Sequence, residues 1–300
     1  MSFARACARM AAAATLVGVV GSGLPALAEA ELASMWQELP NARARLLVGP
    51  PAGKVPQSYL AGIEIVLADG WKTYWRMPGD AGVPPNFDWS GSGNVASLKV
   101  LYPAPARMHE SGSETIGYKH TVLFPVEVVP KDASRPVDLA LTMEFGVCRE
   151  ICIPAEAKLS LTVQPASASG LVPSPLAAAL EKVPREATRR RPMDPRLISV
   201  IATLDGASPR LSIEASFPRG KTSADLFVEA PDGLYLPMAK RLPDDTRSGP
   251  APLTADANDM LVRFEVDLSR TGNAKALEGK TLLFTLVSEA GATETSWTLP

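Results

Sequence analysis

The sequence predicts an all-β protein, two antiparallel β-sandwich domains joined by a linker rich in proline and alanine. Three observations predict it. Apolar residues recur at every second position in one run after another, which places each set on one face of a strand. Turns containing Gly and Pro separate these short runs, and helical periodicity is nearly absent before residue 170, a pattern of antiparallel sandwiches rather than α/β domains. The chain has 300 residues, more than one typical domain.

The N-terminus reads as a secretory signal peptide over residues 1–28. A basic start (Arg5, Arg9) precedes an apolar run from Met10 to Val20, then Gly and Pro breakers, then Ala26-Leu27-Ala28. The uninterrupted run falls short of the ~20 residues that span a bilayer. Cleavage after Ala28 removes Cys7 and leaves about 270 residues, exported to the periplasm and not membrane-spanning. That compartment permits disulfides. The remaining 28 Lys and Arg face 32 Asp and Glu, a net charge of −4, which argues against a nucleic-acid partner.

The first domain is expected over 29–165. Ile63, Ile65 and Leu67 alternate; Ala68-Asp69-Gly70 supplies a turn; Trp71, Thr73 and Trp75 resume, so a hairpin is predicted there. Trp71 and Trp75 share strand parity and are expected in the core. Val122, Phe124, Val126 and Val128 form another strand. The longest alternating run is Val137, Leu139, Leu141, Met143, Phe145 and Val147, with Leu159, Leu161 and Val163 as its partner. The Cys…Trp…Cys pattern of antibody domains is missing, so both sandwiches are immunoglobulin-like in architecture only.

Residues 166–196 shift to Pro, Ala, Ser and Arg and read as the linker, with one short helix around Pro175 to Lys182. The second domain, 197–300, has strands expected at Leu197–Leu204, Pro209–Phe217, Asp225–Ala230, Leu234–Ala239, Met260–Leu268, Thr281–Glu289 and Thr293–Leu299. Asp232-Gly233 offers a second hairpin turn. This half has no cysteine or histidine.

Chemistry concentrates in FGVCREICIPAEAKLSLTV, Phe145 to Val163, where Cys148 and Cys152 stand four apart. A disulfide needs Cα atoms roughly 4.4–6.8 Å apart. Residues four apart in an extended strand lie about 13 Å apart, so the pair can bond only if Arg149-Glu150-Ile151 turns back. Three readings stay open. As a staple, a five-residue loop contributes only ~2 kcal/mol, against ~4.7 for a 100-residue loop. As a redox pair, a short exposed disulfide is exchange-labile. As a ligand set, two thiolates suit Cu(I). Cys-x-x-x-Cys-x-Pro is also similar to the motif of the copper-handling Sco proteins, which place a histidine well downstream; here His109 and His120 both lie upstream. A non-catalytic periplasmic binding module with a structural disulfide competes with the redox reading.

GVCREICIPAEAKLSL resembles the motif of the N-terminal periplasmic domain of the thiol:disulfide interchange protein DsbD family, in which two spaced cysteines and a proline precede a strand. VLADGWKTYWR resembles that domain's early hairpin, and ARMHESGSETIGYKHTVLFPVEV resembles its loop and following strand. The resemblance covers Leu47 to Pro165. It implies an immunoglobulin-like domain that carries electrons by thiol–disulfide exchange through Cys148 and Cys152. The partners implied are a membrane thiol reductase of DsbD/CcdA type and periplasmic thioredoxin-like or other disulfide-bearing proteins. No cofactor and no metal are implied. By position a cap over the pair would run from His109 to Gly117, with Gly112 and Gly117 as hinges and His109, Glu110, Glu114 and Tyr118 as tuning residues. Cys152 would form mixed disulfides and Cys148 would resolve them. The cysteine spacing is shorter than in well-known members. The transmembrane and thioredoxin-like domains of full-length DsbD are replaced by the second β domain.

Overall fold

The computed structural model describes residues 33–49, 58–110, 112–164, 174–218, 223–231, 233–243 and 259–300. The expected signal peptide, Cys7 and Asp232 lie outside them. The first half forms β1 (Gln37–Leu39), β2 (Ala42–Gly49), β3 (Tyr59–Leu67), β4 (Lys72–Gly79), β5 (Asn86–Asp88), β6 (Val95–Val100), β7 (Ala106–Glu110), β8 (Ser113–Lys119), β9 (Thr121–Pro130), β10 (Val137–Cys148) and β11 (Cys152–Val163). They make two facing sheets, ordered β1-β2-β3-β9-β6 and β11-β10-β4-β8-β7, with β5 pairing β10. Ile63, Ile65, Phe124, Val126, Leu139, Leu141 and Phe145 fill the space between. This is the alternation read in the sequence, each strand turning one face inward.

The predicted hairpin at Asp69-Gly70 is corrected. The turn exists, with Gly70 at φ +79°, but β3 and β4 lie in different sheets. Both edges of β3 are occupied, by β2 and β9, so β4 has no place beside it and crosses to the second sheet. An Asp-Gly signal specifies a reversal, not a pairing. Trp71 and Trp75 are buried as expected.

Residues 166–173 of the expected linker lie outside the described residues, and its remainder is structured. The helix α1 (Ser174–Glu181) packs Leu176 and Ala179 on Leu47, Leu60 and Leu123 of the first sheet. β12 (Arg185–Glu186) pairs parallel with the last strand.

The second half adds β13 (Arg196–Thr203), β14 (Arg210–Pro218), β15 (Asp225–Glu229), β16 (Lys240–Arg241), β17 (Asp259–Asp267), β18 (Thr281–Ser288) and β19 (Gly291–Thr298). These form sheets ordered β12-β19-β18-β15 and β13-β14-β17-β16 around a core of Leu211, Ile213, Phe217, Phe264, Leu282 and Phe284. Leu234–Ala239 is not a strand: Leu236, Met238 and Ala239 are buried, but only Lys240–Arg241 joins a ladder. Pro237 within it lacks the N–H a ladder needs.

Candidate functional site

β10 and β11 pair residue for residue from Val137–Val163 to Cys148–Cys152, and Arg149-Glu150-Ile151 closes the hairpin, Arg149 N donating to the Ile151 carbonyl at 3.0 Å. The cysteines are therefore directly opposed across the ladder, Cα atoms 4.1 Å apart, and joined by a disulfide. Proline at position 154 explains how they face. Pro154 has no N–H, and its partner Gly146 donates instead to the Val83 carbonyl at 3.4 Å. The Gly146–Pro154 pair thus exchanges no ladder bond. Because bonded and non-bonded pairs alternate, Cys148–Cys152 is also a non-bonded pair, the kind whose side chains approach most closely.

The burial pattern of β10 locates a cover. From Val137 to Phe145 the inward residues are buried and those between are partly or fully exposed; from Phe145 to Cys148 every residue is buried. Something therefore lies on the outer face at this end. It is the segment Gly79–Pro85, which follows β4. A Cβ added to Gly146 would meet Val83 Cβ at 3.2 Å and the Tyr74 ring at 3.3 Å. Gly82, at φ +129°, lies so close to the Tyr74 ring that any side chain there would enter it. Tyr74 is buried under this segment and Lys72, which pairs in register with Cys148, is buried nearby, although both face away from the core.

The two sulfurs are unequal. Cys148 is 1 % exposed, whereas Cys152 is open to solvent. The Tyr74 hydroxyl lies 3.4 Å from Cys152 Sγ and is the donor, because a disulfide sulfur carries no hydrogen. Lys72 Nζ donates to Thr115 Oγ1 at 3.3 Å and lies 5.9 Å from the Tyr74 ring centre. Arg149, next to Cys148 in sequence, is drawn over the Trp71 ring at 5.5 Å. Ile151 and Val83 are exposed apolar residues at this end.

Among the described residues, His109, Glu114 and Tyr118, expected to cap or tune the pair, have their partners elsewhere. His109 and Glu110 end β7 and Ser113–Gly117 belong to β8, with Gly117 tight against the Thr73 carbonyl and Gly112, at φ +83°, in the turn. His109 Nδ1 lies 3.0 Å from Glu114, which also receives Arg107 at 2.7 Å. The Glu110 side chain lies outside the described residues. Tyr118 is in the core, donating to the Pro103 carbonyl at 2.8 Å and packed edge-on against Phe124; burial holds its hydroxyl well above the ordinary pKa.

The sequence reading also missed a contact between the domains. Asp225, Phe227 and Glu229 alternate along β15 and face away from the second core, into which Leu226 and Val228 point. Opposite them stand Arg107, Trp75 and Arg76. Arg107 forks onto Asp225 at 2.7 Å and reaches the Leu226 and Ala239 carbonyls. Phe227 packs on Trp75 with ring centres 5.6 Å apart. Arg76 binds Glu229 at 2.7 Å and Glu294 at 2.5 Å. Burial opposes the Arg76 charge, but the hydrogen bonds and charges of Glu229 and Glu294 outweigh it and hold the guanidinium above its ordinary value. Tyr235 OH completes the contact, donating to Asp80 at 3.3 Å. The Asp-x-Phe-x-Glu period was the available sequence signal: acid, ring and acid on the face a lone sandwich would give to water.

Among the described residues no three His, Cys, Asp or Glu converge as a metal site, and no helix is long and apolar enough to cross a membrane. No curated protein matches the chain. The fold is similar to the crystal structure of the N-terminal periplasmic domain of ScsB from Proteus mirabilis, with a TM-score of 0.64 and 21% identity over 90% of this chain and 99% of that one. The family model described as thiol:disulfide interchange protein DsbD, N-terminal, matches residues 44–164. That span holds both cysteines, Tyr74 and the Gly79–Pro85 segment.

Proposed function

We propose that the protein is a periplasmic thiol–disulfide exchange protein that carries electrons through Cys148–Cys152 from a membrane thiol reductase to disulfide-bearing periplasmic acceptors. The observation that carries this reading is the asymmetry of the pair, one sulfur open at a hairpin tip and the other covered. The match of residues 44–164 to that family model and the likeness to a periplasmic domain support the class and the compartment.

The chemistry runs in two halves. A thiolate of the reduced donor attacks Cys152 Sγ, the Cys148–Cys152 bond breaks, and Cys148 leaves as thiolate. The donor's second thiolate then attacks its own sulfur in the mixed disulfide, releasing oxidised donor and the reduced pair. In the second half the Cys152 thiolate attacks an acceptor disulfide. Cys148 then attacks Cys152 Sγ, re-forming the internal bond and releasing the acceptor as dithiol. Two electrons and two protons pass in each half. Cys152 is the sulfur a partner can reach, and the Tyr74 hydroxyl is placed to donate to the thiolate that forms there. Ile151 and Val83 offer apolar surface for docking.

The test is the potential of the pair in defined glutathione buffers, with trapping of mixed disulfides by Cys148→Ala. A potential of roughly −180 to −250 mV and trapped partners are expected; a value below about −300 mV marks an inert structural bond and refutes the reading.

A further inference from the structure

We infer that the free edge of β11 beside the disulfide is a docking rail for an extended, cysteine-bearing segment of the exchange partner, which pairs antiparallel with Cys152–Glu156 as an added strand. The inference rests on the proposed exchange function and names the form in which a partner meets Cys152.

β11 is the outermost strand of its sheet, bonded to β10 on one side only. The hydrogen-bond alternation fixes which of its backbone groups face the open side. Non-bonded pairs turn their N–H and C=O groups away from each other. With Gly146–Pro154 non-bonded, the unbroken register places Cys152, Pro154, Glu156 and Lys158 in such pairs. Two contacts check the assignment. Arg149 N donates to the Ile151 carbonyl, so the pair next to Cys148–Cys152 is a bonded one. Lys158 N donates to Gln37 Oε1 at 2.7 Å, off the sheet, which requires an outward N–H. The edge is thus closed at Lys158 by β1 and open from there to the turn. Among the described residues none bonds the N–H of Cys152 or Glu156, or the carbonyls of Cys152, Pro154 and Glu156. Prolines and charges blunt sheet edges against unwanted pairing. Pro154 does so only in part, because it lacks the donor and keeps the acceptor.

The chemistry points to approach from this same side. A thiolate displaces a disulfide sulfur in line, entering opposite the sulfur that leaves. Cys148 stands directly opposite Cys152 on β10, so the line from the leaving sulfur through Cys152 Sγ runs across β11 and out over its free edge. A strand added there lies about 4.8 Å from β11. A cysteine paired in register with Cys152 projects to the same face and stands on that line. That residue exchanges two backbone bonds with Cys152. The residue two before it donates to the Pro154 carbonyl, and the residue four before it exchanges two bonds with Glu156. Strand addition draws its affinity from the main chain, which suits a carrier that serves both a donor and an acceptor.

The experiment uses the full chain with its pair reduced and a probe peptide, acetyl-Thr-Val-Thr-Val-Cys-amide, whose cysteine is disulfide-linked to thionitrobenzoate. The Cys152 thiolate attacks the peptide sulfur, and thionitrobenzoate leaves as a coloured thiolate. The Cys148 thiolate then attacks Cys152 Sγ, re-forming the internal bond and releasing the peptide thiol, so that two electrons pass to the probe. The second-order rate of colour release is measured for the plain peptide and for peptides N-methylated at the third or the fourth residue. Each rate is divided by that peptide's rate with glutathione. The third N–H faces Pro154, and a methyl there is expected to slow the reaction at least ~5-fold, the loss of about one net hydrogen bond. The fourth N–H faces away, and its methylation is expected to change the rate by less than about twofold. Glu156→Pro removes an edge N–H that the β10 ladder does not use. It is expected to slow the plain peptide but not glutathione disulfide, whereas Ser160→Pro, beyond the Gln37 contact, changes neither. Equal rates for the two methylated peptides overturn the inference, as does a dimer in sedimentation whose edge is taken by a second copy. If Glu156→Pro does not fold, the peptides decide on the wild type alone. A reduced pair attacks the probe however reducing it is. The rates therefore stay readable if the exchange reading fails on its potential, and the two failures are distinct.

Discussion

Truncating Phe227 to alanine separates docking from folding. The ring belongs to β15 but points out of the second domain's core, filling the space between Trp75, at 5.6 Å, and the Arg107 guanidinium, also at 5.6 Å. It is 1 % exposed. Removing a buried phenylalanine ring costs about 3–5 kcal/mol, of which the paired ring accounts for about 0.5–1.5. Leu226 and Val228, which do fill the second core, are untouched, so the loss falls on the contact between domains. The assay is urea unfolding followed by far-UV circular dichroism and by tryptophan emission, the Trp75 signal being isolated by difference against Trp75→Phe. Coupled domains unfold together in the wild type. In Phe227→Ala the Trp75 signal is expected to move first, at a denaturant concentration below the main loss of β structure. An unchanged midpoint, or simultaneous loss of both signals, refutes the assignment of this ring to docking.

Tyr74→Phe removes the hydroxyl beside Cys152 Sγ. A hydrogen bond to a charged group contributes about 1.5–3 kcal/mol, and 1.4 kcal/mol corresponds to about 30 mV, so the potential is expected to fall by roughly 30–60 mV as the reduced thiolate loses its donor. A potential that stays or rises contradicts that role. Burial holds the Tyr118 hydroxyl well above its ordinary value and raises that of Tyr102. Their stabilising effect is complete below about pH 10 and is lost as pH rises through the elevated folded values. Tyrosinate absorbance from Tyr118 is therefore expected to appear together with alkaline unfolding, and reversible ionisation in the folded protein argues otherwise. Gly62→Ala places a Cβ 2.6 Å from Leu176 Cδ2 and 2.8 Å from Leu123 Cδ1. Overpacking of this kind costs about 1–3 kcal/mol and is expected to loosen α1, read as faster amide exchange across the helix; unchanged exchange means that the two leucines re-pack freely.

The sequence by itself determined the long alternating strands and the place of the cysteine pair at a turn between two of them. The period-2 run from Val137 to Val147 and its partner ending at Val163 pair with both cysteines at the hairpin's end, because alternation records which face of a strand leaves water. The place of Pro154 was not legible: the motif puts it before the strand, whereas it lies inside β11 at a pair that exchanges no ladder bond. Tertiary structure alone decided what lies beside the pair. After the bulge that follows Tyr74, Gly82 and Val83 lie against Tyr74 and Gly146 on the outer face beside the pair. Such contacts are invisible to periodicity. They depend on where one strand end meets a surface more than a hundred residues away, as Arg76 meets Glu229. The same limit explains the Asp69-Gly70 turn, whose reversal is local chemistry but whose choice of sheet depends on β2 and β9 already flanking β3.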